Sequence, residues 1–155
     1  MVSIALSRIF TGLIGAALFG FVFPLQAKDF IKGERPQQRG YSQAVITEGG
    51  KIVWLAGQTA TVDDAGKSLA GNFDGQARQI FRNLDRTLQK VGGKLSDMVQ
   101  MTVFITDVRD GDRLVKIRHD ILKDNFPGSA LITITALAVP EAKIEIQGYA
   151  VIGGR

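Results

Sequence analysis

Residues 72–93 read NFDGQARQIFRNLDRTLQKVGG. Within them Phe73, Ala77, Ile80, Phe81, Leu84, Leu88 and Val91 recur at helical spacing. At about 100° per residue these seven side chains fall within roughly a third of a helix circumference. Asn72 opens the helix as an N-cap and Gly92-Gly93 close it. A helix with one apolar stripe needs a layer to cover, and the chain on both sides supplies strands. Downstream, Met98 to Ile105 is a strand candidate, and a second helix runs from about Asp110, a good N-cap, to Asn125, stopped by Pro127. Leu114, Ile117, Ile121 and Leu122 form its inward face, and two strands finish the chain, Ala130 to Thr135 and Lys143 to Val151. Upstream, Ala44-Val45-Ile46 and Ile52-Val53-Trp54-Leu55 flank Thr47-Glu48-Gly49-Gly50-Lys51, whose turn chemistry predicts a hairpin. The order ββ-α-β-α-ββ predicts a two-layer α+β domain with both helices on one face of a mostly antiparallel sheet. The sequence has no internal repeat and no low-complexity linker, so no second domain is expected.

That arrangement leaves one sheet face uncovered. In the last strand Ile144 and Ile146 are expected to point at the helices, with Glu145, Gln147 and Tyr149 pointing away. In the strand before it, Ile132 and Ile134 are expected inward and Leu131, Thr133 and Thr135 on the open face. A face mixing Leu, Thr, Tyr and one Glu suits a subunit interface or a lined pocket. Self-association follows as an expectation.

Composition removes much of the catalytic menu. At 45% apolar and 22% charged residues the chain has enough apolar surface for a packed core. With no cysteine there is no disulfide, thiolate metal site or cysteine nucleophile, and a lone histidine, His119, excludes histidine-rich metal sites. His119 projects away from the inward face of its helix and reads as a solvated residue. Gly66-Lys67-Ser68 is not a phosphate loop, because that motif needs a glycine where Thr61 stands. Residues 1–27 differ from the rest: Arg8 is their only charge, and Ile9 to Phe23 is a 15-residue apolar run that ends before Pro24-Leu25-Gln26-Ala27. This is the pattern of a secretory signal peptide, and it is short of the roughly 20 residues that span a bilayer. Cleavage after Ala27 would leave residues 28–155 as a periplasmic or secreted domain. An uncleaved membrane anchor and a cytoplasmic protein are the alternatives.

Several short motifs then occur in order: Tyr41-Ser42-Gln43-Ala44-Val45, Leu55-Ala56-Gly57-Gln58, Gln76 with Asn83-Leu84, Met101-Thr102-Val103-Phe104-Ile105-Thr106-Asp107, Phe126-Pro127 and Ile144-Glu145-Ile146. The series, spanning roughly Arg39 to Ile152, resembles the reactive-intermediate deaminases, the RidA or YjgF-type family once labelled endoribonuclease L-PSP. The resemblance implies a chorismate-mutase-like α+β fold assembled as a homotrimer, with small-molecule pockets at the subunit interfaces. It implies hydrolysis of reactive imines and enamines to 2-keto acids and ammonia, with neither metal nor organic cofactor. Glu145 falls where the family's glutamate positions or activates water, a role suited to a carboxylate that exchanges protons near neutrality when desolvated. Tyr41 falls on the family's pocket tyrosine and Gly57 on the glycine whose backbone borders the ligand.

Two positions depart from the family pattern. Ala56 stands where serine is frequent. The family's Pro-Ala-Arg reads Pro127-Gly128-Ser129, followed by Ala130, so the arginine that clamps the substrate carboxylate is replaced by Ser129. Hydrogen bonds to charged groups contribute about 1.5–3 kcal/mol, or roughly 10–150-fold in affinity, and a serine hydroxyl carries no charge. Arg118 lies about 40° around the second helix from Leu114, on its apolar side, and is a candidate stand-in; a snorkelling or structurally paired arginine is the alternative. Glu145 likewise has a bland reading as an interface acid beside Lys143. Three functions remain open at this point. One is a deaminase-type hydrolase acting on a C=N compound. The second is a non-catalytic small-molecule-binding or stress-protective trimer. The third is a nucleic-acid or anionic-surface binder using Arg78, Arg82, Arg86 and Lys90, which form a basic outer face on the first helix. No aromatic residues interleave with those cations to stack bases, which weighs against RNA.

Overall fold

The apolar stripe on the first long helix is what the rest of the domain packs against. A computed structural model describes residues 28–153, and the expected leader, residues 1–27, lies outside the described residues. The elements are β1 (Asp29–Ile31), α1 (Glu34–Gln38), β2 (Ala44–Ile46), β3 (Lys51–Gln58), α2 (Phe73–Gln89), β4 (Met98–Ile105), α3 (Gly111–Leu122), β5 (Gly128–Thr133) and β6 (Ile144–Ile152). Asn72 caps α2, its Oδ1 accepting a hydrogen bond from the Gly75 N–H at 3.0 Å. Phe73, Ala77, Ile80, Phe81, Leu84 and Leu88 are all buried, whereas Val91 falls beyond the helix and is exposed. Leu114 and Ile117 of α3 join them against Leu55, Met101, Val103, Ile105, Ile144 and Ile146 of the sheet. Each fully buried aliphatic or aromatic side chain contributes about 1.5–3 kcal/mol.

The main sheet has the order β3-β6-β4-β5. β6 runs antiparallel to both β3 and β4, whereas β5 runs parallel to β4. Parallel neighbours need a crossover, and α3 supplies it between β4 and β5. The unit β3-α2-β4 leaves a gap that β6 fills, a split β-α-β arrangement. The fold is thus α+β, with both long helices on one face.

Four local expectations are corrected. The Ala44–Ile46 and Ile52–Leu55 runs do not form a hairpin; β2 pairs instead with β1, an element that three residues of sequence do not announce. α3 stops at Leu122, with Lys123 at φ 62°. Asp110 makes no capping bond; its Oδ1 accepts from Arg113 Nη1 at 2.6 Å instead. The fourth concerns β5, whose facing is opposite to that expected. In register, Ser129 pairs with Met101, Leu131 with Val103 and Thr133 with Ile105, all on the helix side, while Ala130 and Ile132 pair with Thr102 and Phe104 on the open side. Leu131 and Ile132 are both apolar and lie on an edge strand, so the alternation carries no unique phase. The parallel pairing to β4 sets it.

Candidate functional site

Two groups of singled-out residues come together, on opposite faces of the sheet. On the open face, β6 alternation sends Glu145 away from the helices, beside Phe104 of β4. Gly57, at the irregular end of β3, packs directly onto it. A Cβ at position 57 would collide with Glu145 Oε1 and lie 3.0 Å from its Cδ. Only glycine leaves the Glu145 carboxylate where it is. Trp54 and Tyr149 pack edge to face nearby with ring centroids 4.8 Å apart, and Trp54 is 73% exposed. Ile52, Ile132 and Tyr149 extend this bare apolar surface, a feature that marks interaction sites. Ala130 also lies on this side, paired in register with Thr102.

The loop that enters β6 just before Glu145 is anchored by Gln76. This buried glutamine on α2 donates from Nε2 to the carbonyls of Leu69 (3.0 Å) and Glu141 (2.8 Å). Its Oε1 accepts from the Lys143 N–H at 2.8 Å. The residue thus ties the loop entering β6 to the helix layer, two positions before Glu145. The structure gives Gln76, picked out by motif alone, a physical task.

The second group lies on the helix side. Ser42 forms a bridge to Gly128 and its N–H donates to the Pro127 carbonyl at 3.1 Å, which carries Tyr41 to the start of β5. Arg118 reaches from α3 to the same place, and its Nη2 donates to Ser129 Oγ at 2.7 Å. The Arg118 side chain is 2% exposed, and no carboxylate pairs with it among the described residues. Its Nε has no hydrogen-bond partner. Burial, and secondarily the nearby Arg39, push its pKa well below the usual guanidinium range, to about 10. A pocket of about 340 Å³ opens here, lined by Arg35, Arg39, Tyr41, Val115, Arg118, Ser129 and Leu131. Sequence reasoning reached Tyr41, Arg118 and Ser129 but not Arg35 or Arg39. The available signal was their i, i+4 spacing, which places both arginines on one side of a helical turn.

The structure therefore unites Tyr41, Arg118 and Ser129 in one pocket, and Gly57 with Glu145 on the other side of the sheet. A single chain does not bring the carboxylate and the guanidinium together. Among the described residues no cluster of His, Asp or Glu is placed to hold a metal ion. The basic stripe on α2 is largely paired. Arg78 contacts Asp120 at 2.5 Å, Arg86 contacts Asp64 at 2.5 Å, and Arg82 lies 3.7 Å from Asp64 while donating to Gln79. His119 is exposed, with its ring edge-on to Phe126 at 4.8 Å.

Known proteins resemble this chain in sequence and fold. The family model for endoribonuclease L-PSP matches residues 33–152. A RutC family protein of Aquifex aeolicus is 35% identical over 112 residues, 72% of this chain and 87% of its own length. A 2-iminobutanoate/2-iminopropanoate deaminase of Dermatophagoides farinae is 29% identical over 118 residues, 76% of this chain and 90% of its own. Among solved structures, RidA from an Antarctic Psychrobacter superposes with a TM-score of 0.60 at 31% identity, covering 72% of this chain and 88% of that one. A conserved Rid family protein of unknown function from Yersinia pestis gives 0.70 at 23% identity, over 81% of this chain and 98% of its own, a likeness of fold. With the family model matching residues 33–152 and a RutC family protein 35% identical over 72% of the chain, the chain belongs to the endoribonuclease L-PSP family, the RidA/YjgF-type proteins.

Proposed function

We propose that this protein hydrolyses a reactive imine or enamine to a carbonyl compound and ammonia. The observation that carries the reading is the Arg118–Ser129 hydrogen bond. It delivers a guanidinium from α3 to the position where the family pattern has an arginine and this chain has a serine. An arginine held this way, with spare donors, is suited to grip the carboxylate of an imino acid. Tyr41 borders the same pocket.

In the reaction, water adds to the C=N carbon while the nitrogen gains a proton. The hydroxyl proton of the resulting carbinolamine then passes to its nitrogen, which leaves as ammonia and gives a 2-keto acid. An enamine first takes a proton on carbon to become the imine. Glu145 is the group proposed to orient the water and carry these protons, and Gly57 keeps its carboxylate in place. Because the pocket and Glu145 lie on opposite faces, the complete site in this reading combines two copies of the chain. The bare sheet face around Trp54 and Tyr149 supports such an assembly, with a homotrimer as the expected form.

The test is ammonia release from enzymatically generated 2-aminoacrylate and 2-iminobutanoate. General acid–base catalysis contributes about 10²–10⁴-fold, so Glu145→Gln is expected to lose at least about a hundredfold. Gly57→Ala is expected to lose about tenfold or more by displacing the Glu145 carboxylate. Wild-type protein without turnover, together with activity gained in Ser129→Arg, would instead favour a ligand-binding protein on the same scaffold.

A further inference from the structure

The pocket beside Ser129 holds more positive charge than one carboxylate requires. Arg118 is the inner cation, fully buried, with Nε unpartnered and no acid opposite it among the described residues. Arg39 is the outer one, with its side chain 44% exposed. Arg35, one turn earlier on α1, adds a third guanidinium to the lining. Among the described residues the one carboxylate joined to any of them is Asp112, which accepts from Arg39 Nη1 at 2.6 Å and is itself 81% exposed. Such an exposed pair is screened by water, and it leaves Arg39 with further donors, since a guanidinium has five.

The two ends of the pocket are distinct. Asp112, which holds Arg39, precedes Arg118 by six residues on α3, about 9 Å along the axis at 1.5 Å per residue. Val115 lies between them on the same helix, and Leu131 faces it from β5. The order from inside to outside is a buried cation, a short apolar wall and a second, wetter cation. The inner and outer arginines also disfavour each other's charge, since Arg39 contributes to the lowered pKa of Arg118. An anion reaching both relieves that repulsion.

We infer that the pocket takes a small dicarboxylate, a 2-imino or 2-keto acid with a second carboxylate two or three carbons away, held by Arg118 at one end and Arg39 at the other. The substrate class would be the imine of an acidic amino acid. This deepens the proposed deaminase reading, and it stands as a binding statement without it.

The experiment is calorimetric titration of the purified protein with 2-oxoglutarate, 2-oxobutanoate and inorganic phosphate. 2-Oxoglutarate is expected to bind at least tenfold more tightly than 2-oxobutanoate. Arg39→Gln brings the two keto acids to within about twofold of each other, Arg39→Lys restores part of the preference, and Arg118→Met weakens both acids tenfold or more. Equal affinity for the two keto acids, or an Arg39→Gln variant that keeps the preference, overturns the inference. Phosphate binding as tightly as 2-oxoglutarate does so too, because a single-point oxyanion site would then suffice. Ammonia release separates the two readings. Dicarboxylate binding without turnover removes the proposed reaction and keeps the pocket, and turnover of 2-iminobutanoate without a dicarboxylate preference does the reverse.

Discussion

The two faces of the main sheet are made by the same alternating strands, yet they are finished differently. On the helix side Met101, Val103, Ile105, Ile144 and Ile146 meet α2 and α3 and are excluded from water. On the other side Trp54, Ile132 and Tyr149 stay exposed, around a carboxylate wedged against a glycine. Among the described residues the helix side leaves two buried polar atoms without a partner, Arg118 Nε and Ser42 Oγ. The bare face keeps large apolar side chains in water next to a carboxylate, a combination that suits an interaction surface. Burial thus marks the packed core, while the exposed sheet face and the pocket around buried Arg118 are the two places where the chain departs from it.

The widest gap between the faces should appear in stability. Phe81→Ala removes a buried ring from the helix layer and is expected to cost about 3–5 kcal/mol in denaturant unfolding. Trp54→Ala, at 73% exposure, is expected to cost little in the isolated chain. If its cost grows with protein concentration, the bare face is an interface between copies. If it costs as much as Phe81→Ala at every concentration, the distinction between the faces fails.

A smaller effect belongs to the exception on the helix side. Charged Arg118 carries a burial penalty, since its pKa is lowered to about 10. The penalty is fully present below pH 10 and is relieved as pH rises above that toward the unfolded value. A shift of this size corresponds to roughly 3 kcal/mol. Replacing such a charge by a well-packed apolar side chain is often neutral or stabilising, so Arg118→Met is expected to raise ligand-free stability by about 1–3 kcal/mol at pH 7. A loss of the same size would make Arg118 a structural residue.

The smallest effect tests the outer surface of the helix layer. The hydrogen bond from Arg86, and then that from Gln79, hold the Asp64 carboxyl well below the ordinary carboxylate range, at about 2. Its folded pKa is depressed, so its contribution is present above the unfolded carboxylate pKa and lost as pH falls through about 2. Thermal melts of wild type and Asp64→Asn should differ at neutral pH and converge near pH 2. Neutralising Asp64 also exposes the charge of Arg82 and Arg86. Salt-sensitive RNA binding appearing in that variant alone would show that pairing, not geometry, silences the basic stripe.

Much of this protein was legible in its sequence because its signals are local. The α2 stripe, its Asn72 cap, the inward Ile144 and Ile146 and the outward Glu145 follow from helical and strand periodicity, which depend on near neighbours along the chain. The ordered motifs from Tyr41 to Ile146 identified the family for the same reason. Only the tertiary structure decided the partner of β2, the facing of β5 and the meeting of Arg118 with Ser129. The β5 run, apolar at Leu131 and Ile132 alike, has no phase until β4 lies beside it. Arg35 and Arg39 come to line one pocket with Arg118 only when the α1 segment folds across α3, a juxtaposition of residues some 80 positions apart in the chain. Spacing along the chain encodes which way a side chain points within its own element. What it points at depends on contacts between distant segments, whose geometry the packed core sets.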